Sequence, residues 1–83
     1  MTSAERITTA CRLVESTLLH KNKVYGDSAF SPLRVFSSAD PQEQLRVRID
    51  DKLSRLARGD DAGEDTLLDL IGYLVLLLAT RTA

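Results

Sequence analysis

The stretch DDAGEDTLLDLIGYLVLLLAT, Asp60 to Thr80, decides how this chain is read. Its acid-rich opening suits a helix N-terminus, with Asp61 and Glu64 in cap-like positions. After it, Leu67, Leu68, Leu70, Ile71, Leu74, Val75, Leu76, Leu77 and Leu78 surround almost the whole circumference of a helix that runs to about Thr80. A helix apolar all round must be covered all round. Two further helices from a chain of 83 residues can hardly supply that cover. The run therefore predicts a helical homo-oligomer, most simply a two-fold dimer that pairs third helices. The apolar segment Leu70 to Ala79 is about half of the roughly 20 residues that a membrane span needs, so no span is expected.

Working outward, DPQEQLRVRIDDKLSRLARG carries the clearest start and stop signals of the chain. Asp40 is a natural N-cap, Pro41 fits the first helical position, Glu43 completes a capping box and Gly59 ends the helix. Leu45, Ile49, Leu53 and Leu56 form its expected buried stripe. The first helix opens at Thr2 or Ser3, with Glu5 placed for a capping box. Ile7, Ala10, Cys11, Val14 and Leu18 make its apolar face, and Cys11 is expected in the core. Lys21 and Lys23 suit the dipole at its end, and Gly26 provides a stop. The fold class is thus all-α, one domain over residues 1–83, with three main helices. Between the first two lies the long loop HKNKVYGDSAFSPLRVFSS, His20 to Ser38. Within it, Ser31 to Phe36 has the cap and proline of a short helical turn. Phe30 and Phe36 read as anchors that pin the loop to the helices.

Composition narrows the function. Charged residues make up 28% and the formal net charge is −1, which argues against disorder and against a general grip on DNA or RNA. Phosphate binding must come from local clusters of cations. The single cysteine, Cys11, excludes an intramolecular disulfide and a cysteine-rich zinc site. The opening residues lack the apolar run of a signal peptide, so a cytoplasmic protein is expected.

Several residues have chemistry to offer. Asp65 and Asp69 share a face of the third helix, and Tyr73 continues it. Asp69 is flanked by leucines, so its carboxylate must be paired, hydrogen-bonded or bound to a metal. Arg48, Lys52 and Arg55 form a cationic stripe on the second helix, which ordinary pairing with nearby acids would also explain. Glu15 points away from the first helix either into solvent or toward Asp65 and Asp69. In the second case the three carboxylates would suit Mg²⁺, which prefers oxygen ligands. The loop offers Lys21, Asn22, Lys23, Tyr25, Asp27, Ser28 and Arg34, of which Lys21, Asn22, Tyr25 and Ser28 are the candidates for a site: cations for phosphate, a ring for a base, and short polar groups for base edges or sugar. Gly26 marks a turn with positive φ. His20 has no partner at a catalytic spacing and reads as a surface group.

Three segments together have a familiar order. KNKVYGDS, the basic EQLRVRIDDKLSRLARG and EDTLLDLIGYLVLL resemble the nucleotide-modification-associated domain family, small helical proteins of phages and bacteria. The resemblance covers roughly Leu19 to Leu78. It rests on Lys21, Asn22, Tyr25, Gly26 and Ser28; on Lys52 and Arg55; and on Asp65, Thr66, Asp69 and Tyr73. It implies a role in making or processing modified nucleotides. It is also distantly similar to the MazG-type all-α nucleoside-triphosphate pyrophosphatases, helical oligomers whose acids bind Mg²⁺. Those enzymes pair E-x-x-E on one helix with E-x-x-D on the next. Here the first helix has only Glu15 in its middle and the third has Asp65-x-x-x-Asp69, so binding is better supported than turnover.

Three functions follow as expectations. One is an Mg²⁺-dependent enzyme of nucleotide metabolism, with Glu15, Asp65 and Asp69 on the metal and Lys21, Lys52 and Arg55 on phosphate. Another is a nucleotide-binding protein without turnover, a phage-encoded sponge or regulator, in which Arg48 joins those cations and Tyr25 or Tyr73 stacks on a base. The last is a helical assembly module with no ligand.

Overall fold

The structure, a computed structural model, describes residues 1–59 and 65–82. Helix α1 spans Ser3–Val24, α2 Pro41–Arg58 and α3 Thr66–Ala79, and no strand occurs among the described residues. The expected caps Asp61 and Glu64 lie outside the described residues.

Each helix starts where a side chain satisfies its first orphan amides. At α1, the Glu5 N–H donates to Thr2 Oγ1 at 3.1 Å and the Thr2 N–H donates to Glu5 Oε1 at 3.2 Å, a complete capping box. At α2, Asp40 Oδ1 accepts from the Glu43 N–H at 2.7 Å, and Pro41 takes the first turn. The Glu43 carboxylate turns instead to Arg46, 3.6 Å away. At α3 the cap is Asp65, whose Oδ1 accepts from the Leu68 N–H at 3.0 Å. Gly59 closes α2 at φ 70°.

The helices pack antiparallel around α3. Gln42 Nε2 donates to Thr80 Oγ1 at 3.1 Å at one end of the α2–α3 seam, and Lys52 Nζ meets Asp69 Oδ2 at 3.3 Å toward the other. On the opposite flank, Lys21 Nζ lies 3.4 Å from Asp69 Oδ1, and Leu18 lies against Gly72. A Cβ on Gly72 would come within 3.2 Å of Leu18 Cδ2, so the glycine lets α1 approach closely here. Among the described residues α1 and α2 each pack on α3 and not on one another.

The apolar core is small. Leu45 (3% exposed) and Leu70 (9%) are its buried aliphatic residues among those described. The radius of gyration, 14.2 Å, exceeds the about 12 Å of a compact chain this long.

Several sequence expectations are corrected. No residue of α1 is buried, and Cys11 is exposed, because the N-terminal half of α1 extends past the end of α3 with no other helix against it among the described residues. On α2, Leu53 and Leu56 are exposed: the helix is rotated so that Leu45, Ile49 and Lys52 face inward, and Lys52 reaches Asp69. The short helical turn over Ser31 to Phe36 does not form. The turn closes earlier, where the Phe30 and Ser31 N–H groups donate to the Asp27 carbonyl at 3.2 and 2.9 Å. Pro32 then disfavours helix at Ser31, and Arg34 Nε holds the next segment by donating to the Ala39 carbonyl at 2.8 Å. Phe36 is no anchor, since its side chain is wholly exposed (101%). Phe30 does lie beside the α2–α3 end, near Pro41 and Ala79.

Candidate functional site

A cavity of about 600 Å³ opens between α1, the loop, α2 and α3, a volume within the range of small-ligand sites. The antiparallel pairings of α1 and α2 on α3 fix the order of its lining along the helices. One end is charged: Lys21 and Asn22 from α1, Tyr25 from its cap, and Asp69 from α3. In the middle, Arg48 of α2 stands opposite Leu18, Gly72 and Tyr73. The other end is formed by Val14, Leu45 and Leu76, with Gln44 the polar group on α2. Loop residues Ser28, Ala29, Pro32, Leu33 and Arg34, with Thr17 of α1 and Leu68 of α3, complete the lining.

The loop can follow this wall because its first turn doubles back sharply. Gly26 and Asp27 both take positive φ, 64° and 63°, which glycine and aspartate tolerate better than other residues. The Tyr25 and Asp27 N–H groups donate to the Lys21 and Asn22 carbonyls at 2.8 and 3.0 Å. These bonds tie the turn to the last residues of α1, where Lys21 and Asn22 enter the cavity.

Asp69 is the electrostatic centre. One of its oxygens faces Lys21 and the other Lys52, at 3.4 and 3.3 Å. The two lysines differ in setting: the Lys52 side chain is 12% exposed and that of Lys21 50%, against 21% for Asp69. The inner pair lets a lysine ammonium lie beneath the surface. The outer pair is the exposed kind that contributes little and exchanges readily.

The residues singled out in the sequence divide accordingly. Lys21, Asn22, Tyr25, Ser28, Arg48, Asp69 and Tyr73 line one cavity. Lys52 lies behind it on Asp69, and Arg55 is half-buried further along α2 and itself engaged. The other two acids are elsewhere: Asp65 is exposed and spends Oδ1 on its helix cap, and Glu15 is exposed on α1. Among the described residues no group of three or more His, Cys, Asp or Glu side chains is placed to hold a metal ion. Sequence reasoning missed Gln44, and it named Arg34 among the loop's cations without assigning it to the site. Gln44 begins the spacing that Arg48 and Lys52 continue, and a search confined to cations passes over it. Arg34 needed the loop path to be known.

Compared with protein-family models, with curated proteins and with solved structures, the chain matches none. No helix among the described residues is long and apolar enough to cross a membrane.

Proposed function

We propose that the chain is a nucleotide-binding protein that holds its ligand's phosphate between Lys21 and Arg48 and works without turnover. The observation that carries this reading is the state of Asp69, whose two oxygens each face a lysine while the other candidate metal ligands stand apart. A carboxylate so neutralised positions cations and leaves them to meet an anion. The lining supports a nucleotide over a bare anion, since Tyr25 and Tyr73 offer rings and Asn22 and Ser28 short polar groups. The resemblance of the three segments to nucleotide-modification-associated proteins supports the same class of ligand.

The test is a panel of nucleotides with and without Mg²⁺, followed by thermal shift and by chromatography of the recovered ligand. A metal-independent shift with intact ligand is expected. Lys21→Met should weaken binding about tenfold, the scale of one charge-assisted contact. Mg²⁺-dependent turnover abolished by Asp69→Asn would replace this reading with that of a phosphohydrolase in which Asp69 holds the metal. No shift with any nucleotide would leave only an assembly module.

The same proposal includes a two-fold dimer through α3. Leu67, Ile71, Leu74 and Leu78 are all exposed, and their spacing of four, three and four residues is a palindrome. An antiparallel copy therefore sets Leu67 on its partner's Leu78 and Ile71 on its partner's Leu74, the self-complementarity an isologous interface requires. Light scattering should give twice the chain mass, reduced to one chain by Leu74→Glu. A monomeric wild-type protein defeats the pairing.

A further inference from the structure

We infer that Gln44 is the base-reading residue of this cavity, and that the ligand lies with its base between Val14, Leu45 and Leu76 and its phosphate toward Lys21. The inference rests on the nucleotide reading and adds an orientation and a residue to it.

The orientation follows from register. Lys52 faces Asp69 and Gln42 faces Thr80, so advancing along α2 means retreating along α3. Gln44 therefore stands near Leu76, two turns of α2 away from the Lys52–Asp69 pair. Leu18 against Gly72 and Lys21 against Asp69 give α1 the same antiparallel register, which sets Val14 at the Leu76 end. The cavity thus grades from ammonium and carboxylate, through the Arg48 guanidinium, to a slot of aliphatic side chains that the loop's Arg34 edges beside the start of α2. A nucleotide has the same polarity along its length. Its phosphate is charged, its sugar neutral, and its base a flat apolar body with a hydrogen-bonding rim.

Gln44 is the group in that slot suited to such a rim. Its Oε1 is buried and has no hydrogen-bond partner among the described residues. A buried acceptor left unpaired is destabilising and is rare in native proteins. The amide carries both a donor and an acceptor, the pair that meets a base edge in a bidentate contact. The terminal torsion of a glutamine is broad, so a rotation can present either end of the amide to the cavity at little cost. Arg34, whose Nη2 is likewise buried and unpartnered, is held at Nε by the Ala39 carbonyl and serves as the fixed edge of the loop wall.

The test separates base from phosphate. Calorimetry would measure the 5′-monophosphates of adenosine, guanosine, cytidine and uridine beside ribose 5-phosphate, against the wild type, Gln44→Leu and Gln44→Met. Both substitutions conserve volume in an aliphatic setting, and a thermal melt checks that each variant folds. At least one nucleotide should bind the wild type more tightly than ribose 5-phosphate does. Each Gln44 variant should reduce that preference about tenfold, the equivalent of one to two neutral hydrogen bonds. Affinity for ribose 5-phosphate should stay within about twofold, since the phosphate end is untouched. An unchanged preference in both variants overturns the role of Gln44 and leaves the nucleotide reading standing. A wild type that prefers no nucleotide over ribose 5-phosphate overturns both.

Discussion

Helices α1 and α3 both place apolar residues at helical spacing, along one face of α1 and nearly all round α3, yet the protein treats them in opposite ways. Along α3 one face meets α1 and the cavity, a second meets α2, and Leu70 is buried. Along α1, a helix of 22 residues, nothing is buried, and Ile7 at the same kind of stripe position is 65% exposed. The difference is one of position in the bundle. The α3 helix is flanked by neighbours on two sides, whereas α1 has one neighbour and overshoots it. A stripe states that a face is able to be buried; only packing states by what.

The sharpest way to break this comparison is to empty the same kind of position on each helix. Leu70→Ala should lower unfolding free energy by about 2–5 kcal/mol, the range for truncating a core leucine. Ile7→Ala should change it by less than about 0.5 kcal/mol, as for an exposed site. Urea unfolding followed by circular dichroism reads both. A loss above about 1 kcal/mol for Ile7→Ala would show that a partner covers the α1 stripe in solution.

How far the sequence reached follows the same division. The ends of α1 and α2 were legible because caps are local chemistry: Thr2 with Glu5, Asp40 with Glu43 and Gly59 each act within one turn. Asp65 caps α3, a role the sequence leaves open beside that of a metal ligand, because an acid before a helix fits either until the helix start is fixed. Cys11 and Phe36 were misplaced since apolar type was taken for burial, and burial depends on long-range contacts that periodicity does not encode. The rotation of α2 was hidden for a related reason. Asp69, alone among leucines, draws Lys52 inward across the seam, and this displaces Leu53 and Leu56 from the face the apolar pattern favoured. At the site, the convergence of Lys21, Asn22, Tyr25 and Tyr73 was foreshadowed by residue type. Gln44 was not, since a neutral amide on an amphipathic helix carries no signal until its surroundings are known.

The finest test of the α1–α3 contrast is at their point of closest approach. Gly72→Ala adds a methyl group 3.2 Å from Leu18 Cδ2, tighter than an ordinary contact. In a helix interior the same change is favourable by about 0.8–1.0 kcal/mol through backbone entropy and solvation. The net effect therefore depends on whether Leu18 yields. Its methyl is the far end of a flexible side chain, it is half-buried, and it borders the cavity, so a small rotation gives it room. With α1 otherwise lightly held, the expected net change is a gain of up to about 0.5 kcal/mol. Ligand affinity should fall slightly, because Leu18 moves into the cavity it lines. A loss above about 1 kcal/mol would mean that Leu18 cannot move, and that α1 is clamped on α3 as firmly as α2 is.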